Sequence, residues 1–273
     1  MHWCNGVTSF AQIGDFIMVK GLYTTYTGLL NQQNRLDIVT NNLANSTRTG
    51  YKKEGSTSQS FDSVMAVKIN DPTVGYINQN IGELSLGVKI GETYRDYTQG
   101  SFKATDTDTD FALSNGGFFS ISFTNKAGEE STLYTRDGSF QVSEDGYLVT
   151  KDGDYVLGQD GPIQVPTDAK VSVLETGDIY ADGEYVDKLA ITDFEDYNYL
   201  EQYGEGLYKA VDGATEKTSD GVRVYQGYQE MSNVNVVSEM VAMITISREF
   251  ESNQKVMNAI DETLAKAVTL GEV

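Results

Sequence analysis

The chain has 273 residues, enough for two domains or one large one, and 39% of them are hydrophobic, which is enough for a real core. Its 40 acidic and 20 basic side chains give a formal net charge of -20, which argues against a nucleic-acid partner because phosphate binding needs clustered Lys and Arg. No apolar run approaches the roughly 18 residues that cross a bilayer, so we expect no membrane insertion.

Residues 1–17 do not fit a secretory signal peptide, because they lack its basic start and its long apolar centre. Met18 opens a clean helical pattern, and we expect translation to begin there, which makes residues 1–17 a doubtful leader. A start at Met18 removes His2 and Cys4, the only histidine and cysteine, and with them any disulfide, Ser-His-Asp triad or His or Cys metal site. An intact native mass that includes Met1 would contradict this start.

Residues 18–45 are predicted to form an N-terminal helix with an apolar seam. Alternating steps of four and three residues give apolar or aromatic positions, interrupted by Gln33 and Thr40. The seam consists of Leu22, Tyr26, Leu29, Leu36 and Leu43. The end of this helix is marked by Asn41, Asn42 and Asn45, since asparagine tolerates the left-handed conformation that ends helices.

The middle of the chain is predicted to change from a partly extended connector at residues 46–97 to a β domain at residues 98–228. Residues 119–123 alternate apolar and polar, as a strand with one buried face does. Asp-Gly pairs at 137–138, 145–146, 152–153, 160–161 and 182–183 predict hairpin turns between short strands. Residues 100–220 carry 25 acidic and 8 basic side chains, so this all-β domain of meanders is also acidic.

Residues 229–273 are predicted to form a second long helix, with Asn235 as its N-cap and Gly271 as its stop. The same alternating steps give a second seam, which Ser247, Gln254 and Asp261 interrupt. Its apolar members are Val236, Met240, Met243, Phe250, Met257 and Leu264.

Two seamed helices at the two termini allow two interpretations. They can pair within one monomer, or they can serve as assembly elements whose full burial requires neighbouring subunits. The predicted fold is therefore mixed, with an all-β central domain flanked by long helices that pair in a coiled-coil-like way in an assembly.

Several sequence blocks resemble the bacterial flagellar rod and hook family. Asn41 to Asn45 followed by Thr49, Gly50, Tyr51 and Lys52 is similar to the family's N-terminal signature. Later blocks resemble its rod members and occur in the same order: residues 97–102, 110–113, Gly116 and Gly117 with the two following phenylalanines, Tyr134 to Phe140 with Arg136 and Gly138, and 146–150. Residues 226–228 and the run Ser232, Asn233, Val234 and Asn235 resemble the segment that leads into the family's C-terminal helix.

The resemblance implies a structural subunit of the flagellar basal-body rod, a hollow axial shaft that transmits torque from motor to hook. It also implies export through the flagellar type III apparatus without a cleaved signal, a homopolymer that joins other axial proteins, and terminal helices that form an inner tube. No enzyme activity and no cofactor are expected. The blocks are most similar to the distal rod protein; a proximal rod or hook-type subunit is the alternative.

Other functions find less support in the sequence. The acidic run at residues 105–110 lacks the Gly at 111 and the Glu at 117 that an EF-hand requires, so we expect no metal site. A carboxylate-based hydrolase of cell-wall glycan is a remote alternative, since 40 acidic residues make a suitably spaced pair possible by chance. An acidic surface adhesin would explain the β domain but not the paired seams.

Overall fold

The computed structural model of the protein describes residues 7–68, 79–125, 128, 130–167, 169–204, 206–217 and 221–271. A long helix lies at each end of this part of the chain, α1 at Val7–Ala44 and α2 at Val236–Gly271. The predicted terminal helices are confirmed, and Asn235 stands directly before α2. α1 already begins ahead of Met18, whereas Met1, His2 and Cys4 lie outside the described residues, so the start at Met18 stays a prediction.

Strands fill most of the described chain between the helices. In chain order they are β1 Glu54–Ser60, β2 Val64–Lys68, β3 Gln79–Leu84, β4 Val88–Arg95, β5 Phe102–Ala104, β6 Phe111–Ser114, β7 Phe118–Thr124, β8 Glu130–Thr135, β9 Gln141–Val142, β10 Leu148–Val149, β11 Tyr155–Val156, β12 Val171–Val173, β13 Asp178–Ala181, β14 Glu184–Lys188, β15 Ile191–Phe194, β16 Leu200–Gln202, β17 Leu207–Ala210, β18 Glu216–Lys217, β19 Arg223–Gln226 and β20 Tyr228–Glu230.

The chain divides into two compact units. The first comprises Met1–Asn41, Glu54–Tyr94 and Val237–Val273, and so contains most of both helices together with the first strands. The second comprises Asn42–Lys53 and Arg95–Val236, and contains the predicted β domain. The sequence-based domain boundaries after residues 45, 97 and 228 stay predictions.

The connector in the first unit is more ordered than predicted. β1 pairs with β4, and β2 pairs with β3 in antiparallel orientation. Thr57 Oγ1 accepts a hydrogen bond from the backbone N–H of Glu92 at 3.0 Å, and Asn31 on α1 donates through Nδ2 to Ser58 Oγ at 3.1 Å. These pairings were missed because β1 has no apolar alternation; Ser and Thr side chains and a partner strand hold it in place.

The second unit is built on one large sheet in the order β16, β17, β8, β7, β11, β10, β9, with β15 beside β7 and β18 beside β15. Smaller groups are β12 with β13 and β14, β6 with β19, and β5 with β20. β9, β10 and β11 form the expected meander, and β7 and β8 form an antiparallel hairpin. Asp182 and Gly183, both at positive φ, make the predicted turn between β13 and β14.

The central strand β7 has both faces covered, whereas the sequence predicted one. Phe119 and Ile121 lie in the main core, which includes Phe111 and Leu133. Phe118 lies on the other face, in an aromatic cluster with Tyr134, Phe194 and Tyr208. The prediction was wrong because alternation along a strand shows which residues share a face but not what packs against that face. Here Phe118 and Ser120 share the second face, and both are buried.

The Asp-Gly pair at 137–138 is not a hairpin turn. Gly138 has no positive φ, and its backbone accepts a hydrogen bond from the N–H of Phe111 at 2.9 Å. A Cβ at Gly138 would overlap the carbonyl oxygen of Phe111. Glycine is required there for a close approach of two chain segments, which the sequence does not distinguish from a turn.

Candidate assembly interface and buried junction

The helices of the first unit pack against each other in antiparallel orientation. A Cβ at Gly21 would lie 3.6 Å from Ile260 Cδ1, and one at Gly28 would lie 3.3 Å from Asn253 Nδ2. Residue numbers therefore rise along α1 as they fall along α2, in the same seven-residue step. A Cβ at Gly21 would make only an ordinary contact, whereas one at Gly28 would press on Asn253, so Gly28 is the glycine that permits a close approach of the helices.

Polar side chains take part in this helix contact. Gln32 donates through Nε2 to Glu249 Oε2 at 2.7 Å, and Arg35 lies 3.7 Å from the same oxygen. Ile246 is buried on the adjoining turn of α2. The contact face is thus a mixed one, and an apolar count alone underestimates its width.

Most of the predicted seam residues lie on the buried or half-buried sides of the helices. On α1 these are Leu22, Leu29, Leu36 and Leu43, and on α2 they are Val236, Met243, Phe250, Met257 and Leu264. Tyr26 and Met240 are exposed instead. Between the correctly predicted positions, the inward-facing residue lies one position before the predicted one. These residues are Thr25 and Gln32 on α1 and Glu239, Ile246, Asn253 and Ile260 on α2.

The shift has a simple cause. Residues on one face of a helix recur at steps of three and then four residues, or of four and then three. The sequence-based prediction used the pattern that contains the apolar Tyr26 and Met240 instead of the one that contains the polar Thr25 and Glu239. In the structure Glu239 is buried and Thr25 is half-buried, whereas Tyr26 and Met240 are exposed. Burial within one chain does not test contacts between chains, so the assembly interface stays a prediction.

The second unit contains a buried charged cluster, here called the junction, around Glu230. Lys52 Nζ lies 2.7 Å from Glu230 Oε1, and Arg136 NH1 lies 3.1 Å from Glu230 Oε2. The three side chains are 1%, 3% and 1% exposed for Lys52, Arg136 and Glu230. Gly100 adds a backbone N–H to Glu230 Oε1 at 2.9 Å. One carboxylate thus joins three segments far apart in sequence, with strong, charge-assisted bonds.

Asn233 adds an uncharged clamp to the junction. Its Oδ1 accepts from the N–H of Lys53 at 2.8 Å, and its Nδ2 donates to the carbonyl of Asp96 at 2.8 Å. Nearby, Tyr51 donates its hydroxyl to Asn42 Oδ1 at 3.1 Å, and Ser232 Oγ accepts from the N–H of Val234. The segments after α1 and before α2 are therefore held together by side-chain bonds within the second unit.

Gly50 completes the junction through its backbone. Its φ is +67°, and its N–H donates to the carbonyl of Glu230 at 2.8 Å. A Cβ there would overlap the backbone of Arg136 and Asp137, at 2.6 Å from the Arg136 carbonyl carbon. Both the left-handed conformation and the space exclude larger residues.

Burial shifts pKa values in and near the junction. It lowers the pKa of Lys52; Glu230 opposes this shift, and the guanidinium of Arg136 adds to it. Burial also raises the pKa of Tyr134 to about 12, helped by its hydrogen bond to Glu216. Arg136 stacks over Phe118 with its guanidinium carbon 5.1 Å from the ring centre, so the aromatic cluster and the junction share one side chain.

The remaining motif residues have separate roles. Gly116 and Gly117 both have positive φ and follow Asn115, which also does, so they form the tight turn between β6 and β7. Asn41 and Asn45 lie in and just after the last turn of α1. Glu230 was missed as a site residue in the sequence, although it lies between residues 226–228 and the run from Ser232 to Asn235. Lys52 belongs to the family signature, but no role was predicted for it from the sequence.

No catalytic or metal arrangement is evident in the part of the chain that the structure describes. Its side chains include no group of three or more His, Cys, Asp or Glu placed for a metal ion. Asp110, at the end of the acidic run, is buried, and its carbonyl accepts from the N–H of Gly227 at 2.8 Å, so it belongs to the fold. None of the described helices has the length and apolarity required to cross a membrane.

Three family models match parts of the chain. Residues 22–52 match the family model described as flagella basal body rod protein, and residues 112–181 match the flagellar hook protein FlgE/F/G D1 domain. Residues 225–270 match the flagellar basal body rod FlgEFG protein C-terminal model. These matches include Lys52, Arg136 and Glu230 of the junction, and most of α1 and α2.

Full-length relatives decide the family. The flagellar basal-body rod protein FlgG of Buchnera aphidicola subsp. Acyrthosiphon pisum is 31% identical over 91% of this chain and 98% of its own length. The chain belongs to the flagellar basal-body rod and hook family. The rod protein FlgG of Caulobacter vibrioides, 31% identical over 90% of this chain and 97% of its own length, agrees. The flagellar hook-basal body complex protein FlhO of Bacillus subtilis is also similar, with 31% identity over 92% of this chain and 97% of its own length.

As a flagellar rod subunit, the protein is a structural component of the flagellum, and the expected family is confirmed. Its family points to a non-enzymatic role. Equal identity to proteins named FlgG and FlhO leaves its position along the rod open.

Proposed function

We propose that the chain polymerises into the hollow shaft of the basal-body rod and transmits torque from motor to hook. The observation that carries the proposal is a pair of terminal helices with apolar side chains on their exposed faces, in a chain matched by rod relatives over nearly its full length. The helices would form the inner tube of the shaft, with the acidic β unit outside it. Repeated copies of one such contact give an open helical polymer.

The predicted interface residues fall into two groups in this proposal. Tyr26 and Met240 are exposed and free to contact a neighbouring copy. Phe250 and the other inward members support the helix pair that presents them. The junction then has a mechanical role, because the segment after α1 and the segment before α2 are joined by the Lys52–Glu230 and Lys53–Asn233 bonds.

Within the rod we favour the distal position; residues 99–102 and 116–119 resemble the distal rod protein and its close proximal relative. A proximal rod or hook-type subunit is the alternative. The proposed partners are other copies of the chain, the neighbouring axial proteins and the flagellar type III export apparatus, through which the chain would pass without a cleaved signal.

Deletion of the gene in its host tests the proposal. Electron microscopy of purified cell envelopes should show basal bodies with truncated rods and no hook or filament. A complete rod without a hook would favour the hook-type alternative, and absence of the whole rod would favour the proximal one. Intact flagella with altered wall turnover would contradict the proposal and favour a glycan hydrolase.

A further inference from the structure

Each paired helix carries an apolar patch on the side turned away from its partner helix. On α1 the patch consists of Tyr23, Tyr26 and Leu30, which are 48%, 51% and 42% exposed. On α2 it consists of Val237, Val241 and Ile244, which are 71%, 59% and 51% exposed. At 3.6 residues per turn, the first set lies roughly opposite Gly21 and Gly28, and the second roughly opposite Asn253 and Ile260.

Polar side chains bound both patches. Along the same exposed face, the α1 patch is followed by Gln33 and Asp37, and the α2 patch by Arg248, Glu251 and Lys255. The outer face of each helix is therefore apolar over about two turns and then charged or polar. An apolar centre with a polar rim is the organisation of a specific protein interface.

The spacing of the two patches matches in antiparallel orientation. The α1 patch advances by three residues and then four, and the α2 patch, read backwards from Ile244, does the same. Tyr23 can therefore face Ile244, Tyr26 can face Val241, and Leu30 can face Val237. This is the geometry of one more antiparallel helix contact, of the kind that α1 and α2 already make.

One chain cannot make this contact with itself. The patches point away from each other, and within the chain Gly28 lies beside Asn253, so Tyr26 is level with Lys255 rather than with Val241. The difference between Lys255 and Val241 is about fourteen residues, or about 21 Å along a helix that rises 1.5 Å per residue. The occupant that fits is a second copy of the chain, displaced along the helix axis.

We propose that the α1 patch of one copy docks on the α2 patch of the next, with an axial displacement of about 21 Å. The inference rests on the proposed polymer and specifies which faces meet in it. The contact joins different surfaces and does not close on a two-fold axis, so it propagates as a staggered, open array.

Paired cysteines test the register in assembled basal bodies. The background replaces Cys4, the only native cysteine, with serine. Tyr26→Cys combined with Val241→Cys should give a ladder of dimers and higher oligomers on oxidation, because facing Cβ atoms come within disulfide range. Either substitution alone should leave monomer. The matched control, Tyr26→Cys with Lys255→Cys, tests the unstaggered arrangement and should also leave monomer.

Each other result overturns the proposal. A disulfide-linked dimer from Tyr26→Cys alone or Val241→Cys alone would show a two-fold contact. A ladder from the variant with Tyr26→Cys and Lys255→Cys would show that neighbouring copies meet without the displacement. If the variant with Tyr26→Cys and Val241→Cys forms intact basal bodies but gives only monomer on oxidation, the proposed register is excluded. Absence of the unmodified chain from purified basal bodies, scored separately by immunoblot, would count against the rod function itself.

A second probe covers the case in which the paired variants do not assemble. A photoreactive benzoylphenylalanine in place of Tyr26 keeps an aromatic side chain at the patch. Irradiated basal bodies should yield a crosslink to a peptide containing residues 237–244 of a neighbouring copy. Capture of any other segment would overturn the proposal.

Discussion

Glu230 shows how much of the β unit depends on one side chain. Its carboxylate accepts from Lys52, Arg136 and the backbone of Gly100, all in a buried place. The sequence could indicate that Lys52 and Arg136 matter, since both stand in blocks that resemble a family signature. It could not predict their common partner, because the pairing joins positions 94 and 178 residues apart.

Replacing Glu230 with glutamine should destabilise the second unit by about 3–5 kcal/mol, because the substitution keeps the shape but leaves two buried cations without their counter-charge. Urea unfolding followed by circular dichroism measures the change. The matched control is Glu175→Gln, whose pair with Arg223 is 3.6 Å long and mostly exposed, so its loss should cost under about 1 kcal/mol. Equal, small effects would show that the junction does not stabilise the fold.

Replacing Gly50 with alanine should also destabilise the second unit, by about 3 kcal/mol or more, since it adds a backbone overlap to left-handed strain. Gly183→Ala is the control, because Gly183 has φ +90° with no atom within 4 Å of the added Cβ. The control should cost only about 1 kcal/mol from the strain. Similar losses for the two variants, measured by the same unfolding experiment, would contradict the packing argument.

At the scale of elements, the helices show where sequence reasoning succeeds and where it stops. Two terminal helices and a hairpin-rich centre follow from apolar period and turn residues. The inward face of each helix does not follow from these signals, because it includes the half-buried polar residues Thr25 and Gln32. Gln32 bonds Glu249 on α2, and an apolar pattern does not include such a pair. β1 and its pairing with β4 were missed for the same reason, since a strand of Gly, Ser, Thr and Gln has no apolar signal.

Phe250→Asp should abolish rod assembly while leaving the second unit folded. Phe250 is half-buried on α2, and an unpaired charge in a packed seam is costly. Basal bodies counted by electron microscopy and unfolding of the purified chain provide the two readouts. The neighbouring exposed Ser252, changed to Asp, should have little effect on either. Normal rods from the Phe250 variant would contradict a role for the seam.

The aromatic cluster on β7 makes stability depend on alkaline pH. Burial raises the pKa values of Tyr97, Tyr134 and Tyr197 to about 12. An unfolded tyrosine has a pKa of about 10, so the fold favours the protonated phenol. The stabilisation is complete below pH 10 or so and is lost as the pH rises towards 12.

Unfolding free energies measured between pH 9 and pH 11.5 or so should therefore fall steadily as pH increases. Tyr134→Phe removes one titrating phenol and its hydrogen bond to Glu216, so its stability should start lower and fall less steeply. An unfolding free energy that stays constant from pH 9 to pH 11.5 or so would contradict the raised pKa values.

At the scale of the whole molecule, we propose that the helical pair contacts other copies and that the charge of the acidic β unit discourages nonspecific association. The charge asymmetry is visible in the sequence, as residues 100–220 hold 25 of the 40 acidic side chains. The family was also visible there, because its blocks keep their order from the first helix to the last. The number of copies per turn was not, since it depends on angles between copies.

The central claim is that the paired terminal helices build the shaft of the rod. Cryo-electron microscopy of basal bodies from the host tests it most directly. We expect α1 and α2 of each copy to line the axial channel as an antiparallel pair, with the β unit outside and Tyr26 against Val241 of a neighbour. Density that places this chain outside the shaft, or separates α1 from α2 within it, would contradict the account.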